Sequence, residues 1–128
     1  MIVAGIGCRR GAPALNIEAA IRAALVRAGV SANALNAIAT SAAKRGEPAI
    51  AAAATNLGVG IVLVSEDDLR AASDRAQTRS ERVLRIVGVA SVAEAAALAV
   101  AGPAARLIAP RLIIGAATCA LAASGEAA

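Results

Sequence analysis

The chain contains no phenylalanine, tyrosine or tryptophan, and 39 of its 128 residues are alanine. Such a sequence has no large ring with which to fill an interior. Its core must come from Leu, Ile and Val set against alanine-rich helices that approach closely. Alanine loses no rotamer freedom on burial, so these helices still favour folding where backbones come near enough. A chain of this length is expected to form one domain, residues 1–128, with a core that needs no disulfide or metal.

Charge narrows the partners. Twelve arginines and one lysine stand against nine acids, for a net charge of +4. That balance favours an anionic partner. Nucleic acid is not expected, because there is no aromatic platform and no concentrated basic stripe. The absence of histidine excludes serine–histidine and cysteine–histidine catalysis and histidine-ligated metal, and no metal site is expected. Two cysteines, Cys8 and Cys119, make no disulfide framework, and no cleaved signal opens the chain, so a cytoplasmic location is expected. Residues 48–65 form an uncharged run of 18, but Pro48, Thr55, Asn56, Gly58 and Gly60 interrupt it. It is expected to be a helix–turn–strand unit rather than a membrane span.

Periodicity places strands and helices in alternation. Strands are expected at residues 2–6, 35–39 and 61–64, with Thr40–Ser41 closing the second. A helix from Leu15 to Ala28 would bury Leu15, Ile17, Ile21, Ala24, Leu25 and Ala28, and Gly29 would end it. Pro48 starts a second helix that Gly58 stops. Ser65 caps a short helix whose first turn is acidic. Ser91 and Glu94 have capping-box spacing ahead of a helix over 92–101. The end reads as short strands at 106–108 and 112–114, with a last one at 118–122. The polar segment 73–82 is expected to be a mobile loop, and Arg75, Arg79 or Arg82 would reach a ligand if it closed as a lid. The class is α/β: one three-layer α/β/α domain with a mixed sheet.

Each candidate site has a plain structural counterpart. In "GIGCRRG", Gly5 to Gly11, the glycines follow a strand and Arg9 and Arg10 are adjacent. The spacing is one residue too long for a dinucleotide fingerprint, and no Gly-Lys-Ser/Thr follows, so no nucleotide cofactor is expected. Backbone N–H groups and the two guanidiniums would suit another anion; equally, the stretch is a turn with solvated arginines. Cys8 beside those charges is either a lowered-pKa thiol or a small residue packed in a turn, and no base stands near it in sequence. "TSAAKRGEP" brings Thr40, Lys44 and Glu47 to the carboxyl end of a strand, where α/β domains place ligands, or it is a solvated loop. Glu94 would serve Ser91's backbone if the capping box is all it makes.

These pieces in this order resemble the cobalamin-biosynthesis family formed by CobE and the C-terminal domain of CbiG. The matching stretches are "GIGCRRG", "TSAAKRGEPAI", "GIVLVSEDDL", "SERVLRIVGVASVAEAAALAVAG" and "PRLIIGAATCALA", which together span nearly the whole chain. The form resembled is the stand-alone, CobE-like one, associated with the aerobic pathway. The resemblance implies a three-layer fold and motif positions at Gly5, Gly7, Cys8, Arg9, Arg10, Gly11, Thr40, Lys44, Glu47, Ser80, Gly88, Ser91, Glu94 and Thr118. It departs from relatives in having no acid between Thr40 and Lys44, so no catalytic carboxylate is carried over there.

The resemblance implies an anionic corrin or precorrin as ligand, and leaves room for contact with other cobalamin-pathway enzymes. Arg9, Arg10 and Lys44 suit the ring's carboxylates, while aliphatic surface must cover the macrocycle because no aromatic side chain exists. Binding or handing on a ring intermediate is the favoured function. The alternative is a small precorrin hydrolase resembling the lactone-opening CbiG, with Glu47 or Glu94 as base and Lys44 or Arg10 stabilising charge.

Overall fold

The computed structural model describes residues 1–75 and 91–124. Five strands form one sheet: β1 (Ile2–Cys8), β2 (Leu35–Ser41), β3 (Gly60–Val64), β4 (Arg106–Ile114) and β5 (Ala117–Ala123), in the order β3-β2-β1-β5-β4. β1, β2 and β3 run parallel, and β5 is antiparallel to both of its neighbours. The sheet is therefore mixed, as the sequence predicts. α1 (Ala14–Ala28) and α2 (Pro48–Leu57) cover one face, where Ile6, Ile17, Ile21, Ile38 and Leu121 are buried. α3 (Glu66–Ser73) and α4 (Val92–Ala101) cover the other, with Val3, Leu69, Leu98 and a run of buried alanines. Among the described residues, no helix is long and apolar enough to cross a membrane.

Alanine does what the missing aromatics cannot. Ala95, Ala96 and Ala97 of α4 have no exposed surface, and the helix lies directly on the middle of the sheet. Gly5 of β1 makes room for it: a Cβ there would collide with the Ala93 carbonyl oxygen and come within 2.8 Å of the Ala97 nitrogen. Close approach of backbone to backbone thus replaces side-chain bulk in this half of the core.

Several elements differ from expectation. β1 continues to Cys8, because β5 pairs with it along its whole length as far as Cys8 opposite Ala117. Gly7 and Cys8 are therefore strand residues, not loop residues. The two short strands expected at 106–108 and 112–114 are one, β4, whose register slips around Pro110. Proline has no N–H for the ladder, and an edge strand tolerates that loss. Leu15 is 75% exposed; at 3.6 residues per turn it lies roughly 160° from Ile17, on the outer face. The expected loop 73–82 starts later than predicted, since Ser73 ends α3 and is buried. Arg75 then turns back onto the end of α4, its Nη1 donating to the Gly102 carbonyl at 3.0 Å. That leaves Arg75 holding a helix end rather than free to reach a ligand. Residues 76–82, with Arg79 and Arg82, lie outside the described residues.

Candidate functional site

The carboxyl ends of β1, β2 and β3 and the β4–β5 turn share one edge of the sheet. After Cys8 the chain makes a four-residue turn, closed by Ala12 N–H to Arg9 C=O at 3.1 Å. Gly11 occupies its third position at φ +75°, where a residue with a Cβ is strained. The turn is tied on both sides. Arg9 N–H donates to Ala116 C=O at 3.0 Å, and Gly11 N–H donates to Oε1 of Glu47 at 3.1 Å. The first and second motifs therefore lie together. Because three of the turn's amides are engaged in this way, it is no cradle of free N–H groups. Any anion here is held by the exposed side chains of Arg9 and Arg10.

Glu47 is free to reach Gly11 because it makes no side-chain cap at the start of α2, where Pro48 sits in the first turn. Lys44 comes from a single 3-10 turn, Ala42–Lys44, whose own cap is Ser41, with Oγ accepting from Ala43 N–H. Cys8 is half-buried between these charges. Burial raises its thiol pKa above the ordinary value of 9.0; Lys44 pulls it down and Glu47 pushes it up. The thiol is not primed as a thiolate, contrary to the lowered value that Arg9 and Arg10 suggested. Both arginines are exposed, and water screens them.

Two clefts flank the start of α4 at this edge. The first, about 280 Å³, is lined by Cys8, Arg9, Val92, Arg111, Ile113 and Thr118. The second, about 390 Å³, lies between Ser41–Ala43 and the start of α3, and Val92 borders it too. Ser91, itself buried, caps α4 by accepting from Glu94 N–H at 3.3 Å. Glu94 is fully buried, and its Oε2 accepts the Arg111 N–H at 2.9 Å. Its carboxylate thus reaches across to β4, where the capping box had assigned it to Ser91's backbone.

The predicted positions separate by face and by role. Gly7, Cys8, Arg9, Ser91 and Thr118 line the first cleft. Thr40, Lys44 and Glu47 line a groove beside α2. The two hydroxyls on opposite sides of β1 are structural. Thr40 Oγ1 donates to Ile6 C=O at 2.9 Å, and Thr118 Oγ1 donates to Gly7 C=O at 3.2 Å. Gly5 lies under α4, and Glu94 is buried and does not line the cleft. Ser80 and Gly88 lie outside the described residues. Residues not anticipated are Arg111 and Asn16. Arg111 is the lone charge in "LIAPRLII", and that isolation was the available signal. Asn16 holds the β4–β5 turn through its Oδ1, which accepts Ala116 N–H at 3.1 Å. Nothing in its local sequence marks that contact, which spans 100 positions. Among the described residues, no cluster of acids or cysteines is arranged to hold a metal.

Residues 2–122 match the family described as cobalamin synthesis G C-terminus. Protein CobE of Sinorhizobium sp is 39% identical over 121 residues, which cover 94% of this chain and 79% of that protein. The crystal structure of CobE, a protein from the cobalamin (vitamin B12) biosynthetic pathway, superposes with a TM-score of 0.87 at 36% identity. It covers 95% of this chain and 89% of its own. The cobalamin biosynthesis protein chiG of Agrobacterium tumefaciens str. C58 is 43% identical, with a TM-score of 0.74 over 98% of this chain and all of its own. The chain belongs to the cobalamin synthesis G C-terminus family, as a cobalamin biosynthesis protein of the CobE/CbiG C-terminal type.

Proposed function

We propose that the chain binds an anionic corrin or precorrin intermediate at the carboxyl edge of the sheet and hands it on, without chemistry of its own. One observation carries this reading. Among the described residues the ion pairs are those of Arg70 with Glu66 and Asp67, so Arg9, Arg10 and Arg111 at the first cleft and its turn make none. A corrin ring is apolar in its middle and carries carboxylates around its rim. Val92 and Ile113 offer aliphatic surface, and Arg9 and Arg111 line the same cleft. Binding rather than catalysis is supported by the state of the candidate groups. Cys8 is held as the thiol, while Glu47 and Glu94 each already hold a backbone amide.

The test is an optical titration with a corrin polycarboxylate, alongside a corrin whose side chains are carboxamides. The chain has no Trp or Tyr to obscure the pigment. Saturable binding of the acid, weaker binding of the amide and loss of affinity with salt are expected. Arg111→Ala should cost about 1.5 kcal/mol. Arg9 and Arg10, being exposed, should each cost less, about 0.5 kcal/mol. Equal affinity for acid and amide, or turnover of a precorrin by the purified protein, would overturn the proposal.

A further inference from the structure

On the opposite face of the sheet from the cleft beside α4, a groove of about 300 Å³ runs between α2 and the edge strand β3. Its floor is apolar. Ile61 and Leu63 remain 38% and 37% exposed, because α2 is only ten residues long and offers mainly alanine to cover them. Among the described residues β3 pairs only with β2, and none of them closes the groove from the far side. Thr40 also lines it, but its hydroxyl is committed to Ile6 C=O, which leaves the floor without a polar demand. The polar groups stand at one end: Lys44 and Arg45, neither in an ion pair among the described residues, and Glu47, whose Oε1 is engaged by Gly11 N–H.

We propose that this groove is a separate binding site for an amphiphilic organic acid, with the apolar body on Ile61 and Leu63 and the carboxylate or sulfonate at Lys44 and Arg45. The charge selects the occupant. A neutral apolar ligand would leave the net positive charge of Lys44, Arg45 and Glu47 unused at the mouth, and a compact polar anion would leave the aliphatic floor wet. A ligand with both parts satisfies both. The groove lies on the other face from the cleft proposed for the tetrapyrrole, although Glu47, which lines it, also ties the arginine turn.

The probe is 8-anilinonaphthalene-1-sulfonate, an apolar ring system with one sulfonate, followed by fluorescence. Saturable one-site binding is expected. Leu63→Asp should weaken it about tenfold by placing a like charge on the apolar floor. Arg45→Glu lies on an exposed loop that keeps the fold, and should weaken it about fivefold. Arg22→Ala, on the outer face of α1, should change nothing. Unchanged affinity in both Arg45→Glu and a urea-stable Leu63→Asp would overturn the site. So would loss of binding only in Arg111→Ala, which would place the dye in the other cleft. A stable dimer by sedimentation that excludes the dye would also overturn it, since a second copy would then cover β3.

Discussion

Oε2 of Glu94 accepts the backbone N–H of Arg111 at 2.9 Å, joining the first turn of α4 to the edge strand β4. The contact depends on Pro110. The register slip around that residue takes Arg111 N–H out of the ladder with β5, and a carboxylate meets it instead. Glu94→Ala should therefore leave a partly buried amide without its acceptor and destabilise the fold by about 2 kcal/mol. Glu94→Gln keeps an acceptor oxygen and should cost less. Ser91→Ala removes only the cap, about 1 kcal/mol. Urea unfolding of the three variants orders them. A Glu94→Ala cost no larger than that of Ser91→Ala would reduce Glu94 to a capping residue.

Gly5 sits where α4 presses on β1, and no flexible side chain is available to give way, since the neighbours are the Ala93 carbonyl and the Ala97 nitrogen. Gly5→Ala should force the helix off the sheet and destabilise by about 1–3 kcal/mol, the range for overpacked cores. Gly7→Ala meets only the Thr118 hydroxyl, at 2.7 Å, which can rotate away after losing its bond to Gly7 C=O. Its urea midpoint should fall less. The reverse order would mean that α4 is not seated as described.

What was legible in the sequence was local. Ser65 and Ser91 cap the helices expected of them, Pro48 opens α2, and α4 spans the residues that its alanine run marked. What was not legible depends on distant partners. "GIGC" reads as strand then loop until β5 pairs with all of it. The amides of "RRG" look available to an anion until Ala116 and Glu47 take them. Glu94 is indistinguishable from the second half of a capping box without the slip at Pro110. Leu15 fails differently, since the helical period itself puts it outside. The first two family motifs lie at one edge, yet only the folded chain separates Thr40 and Thr118, whose hydroxyls hold β1, from the cations that make no ion pair among the described residues.

Cys8 should alkylate slowly for a half-exposed thiol. Burial raises its pKa, so less thiolate is present near neutral pH than in an unfolded chain. Lys44→Ala removes the cation that opposes the shift and should slow iodoacetamide further, whereas Glu47→Gln should speed it. Cys119, fully buried and pushed higher by burial alone, should react only on unfolding. The stability linkage has one sign for both thiols. A pKa raised on folding contributes stability that is complete below 9.0 and is lost as pH climbs through the folded values. Peptide mass spectrometry after timed alkylation at pH 7 and 9 checks the rates. A Cys8 faster than a free thiol would restore the nucleophile.

Glu47 links the two motif loops through Gly11 N–H, and it is also the one acid among the cations Arg9, Arg10, Lys44 and Arg45. Its two roles oppose each other when an anion binds. The carboxylate repels the ligand, but its hydrogen bond holds the turn that carries Arg9 and Arg10. Glu47→Gln keeps an acceptor for Gly11 and removes the charge, so a corrin polycarboxylate should bind about twofold more tightly, a modest gain because the site is open to solvent. Glu47→Ala removes both. The turn remains closed by Ala12 N–H but loses its tie to α2, and the ordering cost then falls on the ligand. Affinity should drop about threefold below wild type despite the more positive edge. Hydrogen exchange at the Gly11 amide supplies the structural half of the test, faster in Glu47→Ala and nearly unchanged in Glu47→Gln. If both variants bind more tightly by the same factor, Glu47 acts through its charge alone and the tie to the arginine turn has no part in recognition.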